Sequence, residues 1–167
     1  MKILVFLHGT TIMHKSALGV SRIDRVKQVE DQEKSVRDFA SYVPIGGAVD
    51  KLQKWKDLGA EILYLSSHKN IEDVDKDRQV LKKFNFPEGQ VLFRQKGQAY
   101  KEVAETIAPD VLIEDDCESI GGKDEMTITF VKPEIKAKIK SIPVKEFGGI
   151  DHLPDNISEL LDYRNLS

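Results

Sequence analysis

The chain has 167 residues, 40% of them hydrophobic and 32% charged, which suits one globular domain with its own core. Its net charge of −3, with lysine and arginine scattered among the acids, offers neither a basic patch for nucleic acid nor a polybasic surface for a membrane. No stretch approaches the roughly 20 apolar residues of a membrane span, and a single cysteine, Cys117, excludes an internal disulfide and favours a cytoplasmic location.

Apolar runs and helical periodicities alternate along the chain. Residues 3–7 form a continuous apolar run, which is typical of a central parallel strand buried on both faces. Shorter apolar runs predict strands over 62–65, 91–93, 111–113 and 142–144. Helical spacing and capping residues predict helices over 48–58, 71–84, 98–108, 133–140 and 156–163. The segment 126–131 is open to two interpretations, a strand or an extended loop.

Residues 21–42 are mostly polar, with apolar residues at roughly helical spacing after Ser21, a plausible N-cap. We therefore predict a small helical insert at about 12–42 that leaves the edge of the sheet open. The alternation of elements predicts an α/β fold, a Rossmann-like three-layer sandwich with a mainly parallel sheet and helices on both faces. We expect residues 1–167 to form a single domain of this kind.

Three consecutive acids, Glu114, Asp115 and Asp116, follow the predicted strand 111–113. Carboxylates at the end of a buried strand are costly unless a cation or hydrogen-bond donors meet them. In open α/β sheets this end of the strands is also where ligands bind. Hard oxygen ligands suit Mg²⁺, so we predict that Asp115 and Asp116 hold this metal. The alternative is that the acids cap the helix that follows.

The order of these strand ends resembles the four-motif layout of the haloacid dehalogenase-like (HAD-like) superfamily, over about residues 1–161. Gly9 and Thr10 follow the first strand, Ser66 follows the second, a lysine lies near a helix start, and the acids end a later strand. The resemblance implies a HAD-like fold with a minimal cap. It also implies a site for phosphate esters, because active members of the superfamily mostly hydrolyse them through an aspartyl-phosphate and Mg²⁺.

The resemblance also implies roles for individual residues. Ser66, with Ser67 as the second choice, matches the motif that holds a phosphoryl oxygen, and Gly9 is expected to bind phosphate as well. Lys101, or else Lys96, matches the lysine that neutralises the phosphate. Each of these residues also has an ordinary structural explanation, as a helix cap or a solvated surface charge.

The first motif departs from the family pattern, in which the strand ends Asp-x-Asp-Gly-Thr. Alignment on Gly9 and Thr10 places Phe6 at the nucleophile position and His8 at the acid/base position. A shift of two residues places His8 at the nucleophile position and Thr10 at the second. Histidine can transfer protons near neutral pH or form a phosphohistidine. His8 can also simply be a polar residue at a strand end.

The leading hypothesis is a HAD-like protein that binds a small phosphorylated molecule, a phosphate ester or nucleotide. Its hydrolase activity would be altered or lost, because the nucleophilic Asp is absent, and His8, Thr10 and Lys101 would be the catalytic candidates. One alternative is a non-catalytic binding or scaffold module on the same fold. Another is a hydrolase in which His8, His68 and Asp115 hold Zn²⁺, Mn²⁺ or Fe²⁺, since two imidazoles and a carboxylate suit these ions better than Mg²⁺.

Overall fold

The computed structural model describes residues 1–164, so the last three residues of the predicted domain lie outside the described part of the chain. The strands are β1 (Lys2–Phe6), β2 (Ile12–Met13), β3 (Val43–Pro44), β4 (Glu61–Leu65), β5 (Gln90–Leu92), β6 (Val111–Asp115) and β7 (Lys140–Val144). Five of them form a sheet in the order β5-β4-β1-β6-β7, in which every neighbouring pair is parallel.

The α-helices are α1 (Arg22–Glu30), α2 (Ala48–Asp57), α3 (Ile71–Lys83), α4 (Tyr100–Ile107), α5 (Pro133–Lys136) and α6 (Ile157–Asp162). Helix α3 begins where the Asn70 side chain accepts a hydrogen bond from the N–H of Asp73, and α1 begins with Ser21 in the same role. No helix within residues 1–164 has the length and apolar character needed to cross a membrane.

Alternate residues of the strands build two apolar layers, one on each face of the sheet. Ile3 and Val5 of β1 pack in one cluster with residues of α2, α3 and α6. Leu4 and Phe6 pack in the other cluster with residues of α4 and of the segment that follows β6. The predicted three-layer α/β sandwich with a parallel sheet is therefore confirmed.

Two local predictions differ from the structure. The segment predicted as a helical insert contains α1, three short 3₁₀ turns and the two-residue strand β2, which pairs antiparallel with β3 directly after the segment. A strand of two residues is too short to show an alternation of apolar and polar residues in the sequence. The segment 126–131 is neither strand nor extended loop but contains a 3₁₀ turn, Thr127–Phe130. Its first two N–H groups, those of Thr127 and Ile128, both donate to the buried carboxylate of Glu114, at 2.7 and 3.0 Å.

The central position of β1 determines where a site can form. β1 pairs with β4 on one side and with β6 on the other, so the residues after Phe6, Leu65 and Asp115 emerge at the same edge of the sheet. The chain also changes direction across the sheet at β1, since β4 and β5 lie to one side and β6 and β7 to the other. Open α/β sheets bind ligands at such a switch point.

Candidate functional site

A cavity of about 480 Å³ opens at this edge of the sheet. Residues that follow five different strands contribute to its wall, together with residues of the segment 12–44 and of α4. Lining residues with reactive groups include His8, Ser67, Arg94, Lys101, Asp115 and Glu146. A volume of this size suits a small metabolite.

Gly9 brings β1 close to the acid at the end of β6. Its φ of +79° is a left-handed conformation, and a Cβ atom at this position would lie 2.9 Å from Asp115 Oδ2. The next residue, Thr10, is fully buried, and its hydroxyl donates to Asp115 Oδ2 at 2.9 Å. The Thr10 oxygen also accepts from the N–H of Asp115 at 3.1 Å. Gly9 and Thr10 thus fix the position of the Asp115 carboxylate.

The acids near this end of β6 differ in their surroundings. Burial raises the pKa of Asp115, although the hydroxyl of Thr10 and the N–H of Cys117 favour its charged form. Burial also raises the pKa of Glu146, which lines the cavity and accepts from the N–H and hydroxyl of Ser119, both at 2.7 Å. Asp116 does not line the cavity. It accepts from the N–H of Glu146 and lies 3.0 Å from Lys145 Nζ.

A second group of polar side chains surrounds the His8 ring. His8 Nε2 lies 2.9 Å from Oδ1 of Asp77, a fully buried residue of α3. His8 Nδ1 lies 2.5 Å from the hydroxyl of Ser67, and the N–H of Ser67 also points to this nitrogen at 3.3 Å. A carboxylate only accepts and an N–H only donates, so these partners place the ring hydrogen on Nε2 and leave Nδ1 as the acceptor.

The remaining partners of Asp77 follow β4. The hydroxyl of Ser66, which is fully buried, donates to Asp77 Oδ2 at 2.5 Å. His68 Nε2 lies 3.7 Å from Asp77 Oδ1 and, although this atom is buried, it has no hydrogen-bond partner within residues 1–164. Burial, and next the charge on His8, lower the pKa of His68. The ligand atoms of His8, His68 and Asp77 all lie within 4.8 Å of one another.

Aromatic rings of the segment before α2 cover this group. The Phe39 ring lies 4.2 Å from that of His68, and the Tyr42 ring lies 5.4 Å from that of His8. The side chain of His8 therefore remains only 14% exposed. Access to His8 is from the cavity, which both His8 and Tyr42 line.

One of the two alignments of the first motif places Phe6 at the nucleophile position. Its ring lines the cavity and packs edge-on against Tyr100, with 5.0 Å between the ring centroids. The wall at this point is therefore apolar.

Arg94 is the cation nearest to Ser67. Its Nη2 donates to the carbonyl of Ser67 at 2.9 Å, and its guanidinium lies 3.9 Å from the centroid of the Tyr100 ring. Its Nε atom is buried and has no partner. Lys101 lines the cavity, 3.9 Å from a carboxylate oxygen of Glu102. Lys96 is exposed and does not line the cavity.

The structure thus brings together most of the residues singled out from the sequence. His8, Gly9, Ser67, Lys101 and Asp115 line one cavity. Thr10 and Ser66 lie behind it as buried hydrogen-bond partners of acids, and Lys96 and Asp116 lie outside it. Of the suggested metal trio, His8 and His68 are adjacent, but the acid beside them is Asp77 and not Asp115.

Sequence reasoning missed Asp77, Arg94 and Glu146. A signal for Asp77 was present, because it lies at helical spacing between Val74 and Leu81 on the buried side of α3. An acid on such an apolar stripe needs a specific partner. Arg94 and Glu146 lie in irregular segments, where no periodicity identifies the inward-facing residues.

No family model matches the chain, and a comparison with curated proteins finds no relative. Solved structures do resemble it. A class C acid phosphatase from Bacillus anthracis with tungstate bound aligns with a TM-score of 0.57 at 16% identity, over 89% of this chain and 68% of the phosphatase. Another structure of that phosphatase aligns over 99% of this chain and 79% of its own, with a TM-score of 0.55 and 16% identity.

A HAD hydrolase of family IA, variant 3, from Entamoeba histolytica HM-1:IMSS aligns over 96% of this chain and 97% of its own, at 12% identity and a TM-score of 0.55. Identities this low establish the fold alone. The chain has the fold of the HAD-like hydrolases.

Proposed function

We propose that the chain binds a small phosphate ester or nucleotide in the cavity and hydrolyses it without an aspartyl nucleophile. The observation that carries this proposal is the meeting of His8, Ser67, Arg94 and Lys101 around one cavity at the carboxyl ends of the strands. The shared fold supports it, because two of the similar structures are acid phosphatases, one of them with the oxyanion tungstate bound.

Arg94 and Lys101 supply the positive charge that a phosphate needs. Arg94 is held in place by the Ser67 carbonyl and the Tyr100 ring, so little side-chain entropy remains to be lost on binding. A guanidinium also offers several donors in a fixed plane, which suits bidentate contact with phosphate oxygens. Gly9 and Ser67 complete the wall on the side of β1 and β4.

Asp115 is the better placed of the two predicted Mg²⁺ ligands. It is buried at the cavity, and Glu146 also lines that cavity, while burial raises the pKa of both carboxyl groups. Carboxylate oxygens are the ligands that a hard divalent ion prefers. Bound Mg²⁺ would supply charge neutralisation to a phosphate group. Asp116 is already paired with Lys145.

His8 is the proposed base. Its Nδ1 accepts a hydrogen bond from a hydroxyl that faces the cavity, and its Nε2 is held by the buried Asp77. In this geometry a proton can pass to Nδ1 while the Asp77 carboxylate stabilises the imidazolium that forms.

The test is a screen of para-nitrophenyl phosphate and common metabolite phosphates with Mg²⁺, comparing the wild type with His8→Ala and Asp115→Asn. We expect activity that falls by about 100-fold or more in His8→Ala. His152→Ala is the matched control, because His152 is exposed and does not line the cavity. Absence of both phosphate binding and turnover would support the non-catalytic alternative, and activity unchanged in His8→Ala and Asp115→Asn would place the site elsewhere.

A second candidate function is a transition-metal hydrolase built on His8, His68 and Asp77. The specific observation in its favour is the buried His68 Nε2, which has no hydrogen-bond partner and lies near the other two ligand atoms. Such nitrogen and oxygen donors suit Zn²⁺, Mn²⁺ or Fe²⁺. Metal analysis of the purified protein, repeated on His68→Ala with His152→Ala as the control, decides this question. One equivalent of metal that is lost only in His68→Ala is the result this candidate requires.

A further inference from the structure

We propose that Ser67 is the nucleophile of this site, activated by a relay that runs through His8 to Asp77. This inference rests on the proposed function and extends it, because it names the atom that attacks phosphorus in place of the missing aspartate. The product of the first step is a phosphoserine.

The hydrogen bonds of the relay run in one direction. The hydroxyl of Ser67 donates to His8 Nδ1 at 2.5 Å, and His8 Nε2 donates to Asp77 Oδ1 at 2.9 Å. A serine hydroxyl paired with an imidazole, which a buried carboxylate orients in turn, is an arrangement recognised by geometry and not by chain order. Here the serine follows β4, the histidine follows β1, and the acid lies in α3.

The acid of the relay is positioned as an orienting group requires. Asp77 is fully buried, and its second oxygen accepts from the hydroxyl of Ser66 at 2.5 Å. Ser66 also accepts from the N–H of His68 at 3.1 Å, so the turn after β4 is tied to the same carboxylate. The position of the His8 ring is therefore fixed before any substrate binds.

Ser67 is the best of the nucleophilic groups that line the cavity among residues 1–164. The other serine, threonine and cysteine side chains that line it are Cys117, Ser119 and Thr127. The thiol of Cys117 donates to the backbone carbonyl of Asp115 at 3.7 Å, so its partner is not a base. The hydroxyl of Ser119 donates to Glu146, and the hydroxyl of Thr127 is buried without a partner. Only Ser67 contacts an imidazole.

The phosphate group of a substrate would bind to cations that lie near the Ser67 hydroxyl. Arg94 donates to the carbonyl of Ser67 itself, and Lys101 lines the same cavity. A phosphate ester held by these two cations presents its phosphorus to the cavity wall that carries the Ser67 hydroxyl. At the position of Phe6 the wall carries an apolar ring and no carboxylate that could compete for the attack.

The reaction balances in two steps. In the first, Ser67 Oγ forms a bond to phosphorus, the bond from phosphorus to the alcohol oxygen breaks, and the serine proton passes through His8 Nδ1 to the departing alcohol. In the second, water attacks the phosphoserine and gives a proton to His8 Nδ1. The bond from phosphorus to Ser67 Oγ then breaks, and that proton returns to Ser67, which leaves inorganic phosphate.

The test uses the full chain in EDTA and a fluorophosphonate probe. Attack on the probe forms the bond from serine oxygen to phosphorus and releases fluoride, with the serine proton taken by His8. We expect mass spectrometry to locate the label on Ser67, and Ser67→Ala to remove it. Labelling should slow by about 100-fold or more in His8→Ala. Ser119→Ala is the matched control, a serine of the same cavity without an imidazole partner, and it should keep the label.

Asp77 acts through His8, so its test needs a readout beyond rate. In Asp77→Asn we expect slower labelling together with a change in the ¹⁵N shifts of the His8 ring, which report the nitrogen that carries hydrogen. Because a buried substitution can unfold the chain, the thermal midpoint is measured for each variant, and Ser67→Cys provides a second test. The thiol it introduces beside His8 should react with iodoacetamide, whereas Cys117 should not.

The outcomes separate this inference from the proposed function. The assignment of Ser67 as the nucleophile is overturned if Ser67 is not labelled, or if His8 or Ser119 is labelled instead. Turnover of a phosphate ester through an acid-labile phosphoenzyme would also overturn the assignment of Ser67 as the nucleophile, because phosphoserine withstands acid and phosphohistidine does not. In that case the proposed function stands. A labelled Ser67 in a chain that neither binds nor hydrolyses any phosphate ester supports the nucleophile and overturns the phosphate function.

Discussion

Replacement of Gly9 by alanine tests how tightly β1 and β6 are joined at the site. Two effects add in this variant. An alanine at φ +79° is in a left-handed conformation, which costs about 1–2 kcal/mol for a residue with a Cβ. The new methyl group would also lie 2.9 Å from Asp115 Oδ2, and relief of such overpacking typically costs about 1–3 kcal/mol. We expect a loss of about 2–5 kcal/mol in the free energy of unfolding.

Urea and thermal unfolding measure this loss, and for a chain of this size each kcal/mol lowers the midpoint by roughly 2–4 °C. Gly59→Ala is the matched control, because Gly59 has φ +93° but nothing within 4 Å of the added Cβ. It should lose only the backbone part, about 1–2 kcal/mol. In the double variant Gly9→Ala/Asp115→Ala the steric part should be absent. The loss in the double variant should therefore be smaller than the sum of the two single losses, and the difference is the coupling energy. Equal losses at Gly9 and Gly59 would refute the close approach of Gly9 to Asp115.

Three further predictions concern the cavity and its supports. Arg94→Gln should weaken binding of inorganic phosphate by about tenfold or more, by isothermal titration, since a charge-assisted contact is lost, whereas Lys96→Gln should bind normally. Glu114→Gln should alter the pH dependence of stability. Burial raises the pKa of Glu114 in the folded state. The contribution of Glu114 to the free energy of unfolding is therefore greatest below its unfolded pKa and is lost as pH rises through its folded pKa. The difference between the urea midpoints of the wild type and of Glu114→Gln should therefore decrease as pH rises between the unfolded and the folded pKa. A difference that increases with pH would contradict the raised pKa of Glu114. Ser66→Ala should cost about 1–3 kcal/mol in urea unfolding, because it leaves Asp77 short of a buried donor. A change within about 0.5 kcal/mol would show that water replaces the hydroxyl.

The sequence predicts the sheet well because its strands are apolar runs between clear breaks. The resemblance to the HAD-like layout implies that β1 and β6 are neighbours, and this adjacency brings His8 and Asp115 to one cavity. Which of Ser66 and Ser67 faces the cavity could not be predicted, since the answer depends on one residue of register where the strand ends. The structure buries Ser66 against Asp77 and exposes Ser67 to the cavity.

Asp77 shows a different limit of sequence reasoning. Its distance from His8 along the chain is 69 residues, and no local pattern links the two. Only the tertiary arrangement, with α3 packed beside the turn after β4, joins them. The helical periodicity indicates that Asp77 is buried, but it does not indicate which side chain Asp77 contacts.

The nitrogen His8 Nε2 has two mutually exclusive uses. With hydrogen attached it points to Asp77, and without hydrogen it would be a ligand for zinc, together with Asp77 and His68. An ion bound through this nitrogen would displace the proton that orients the ring. Zinc bound there would then inhibit the serine chemistry proposed above, and a chelator would restore it.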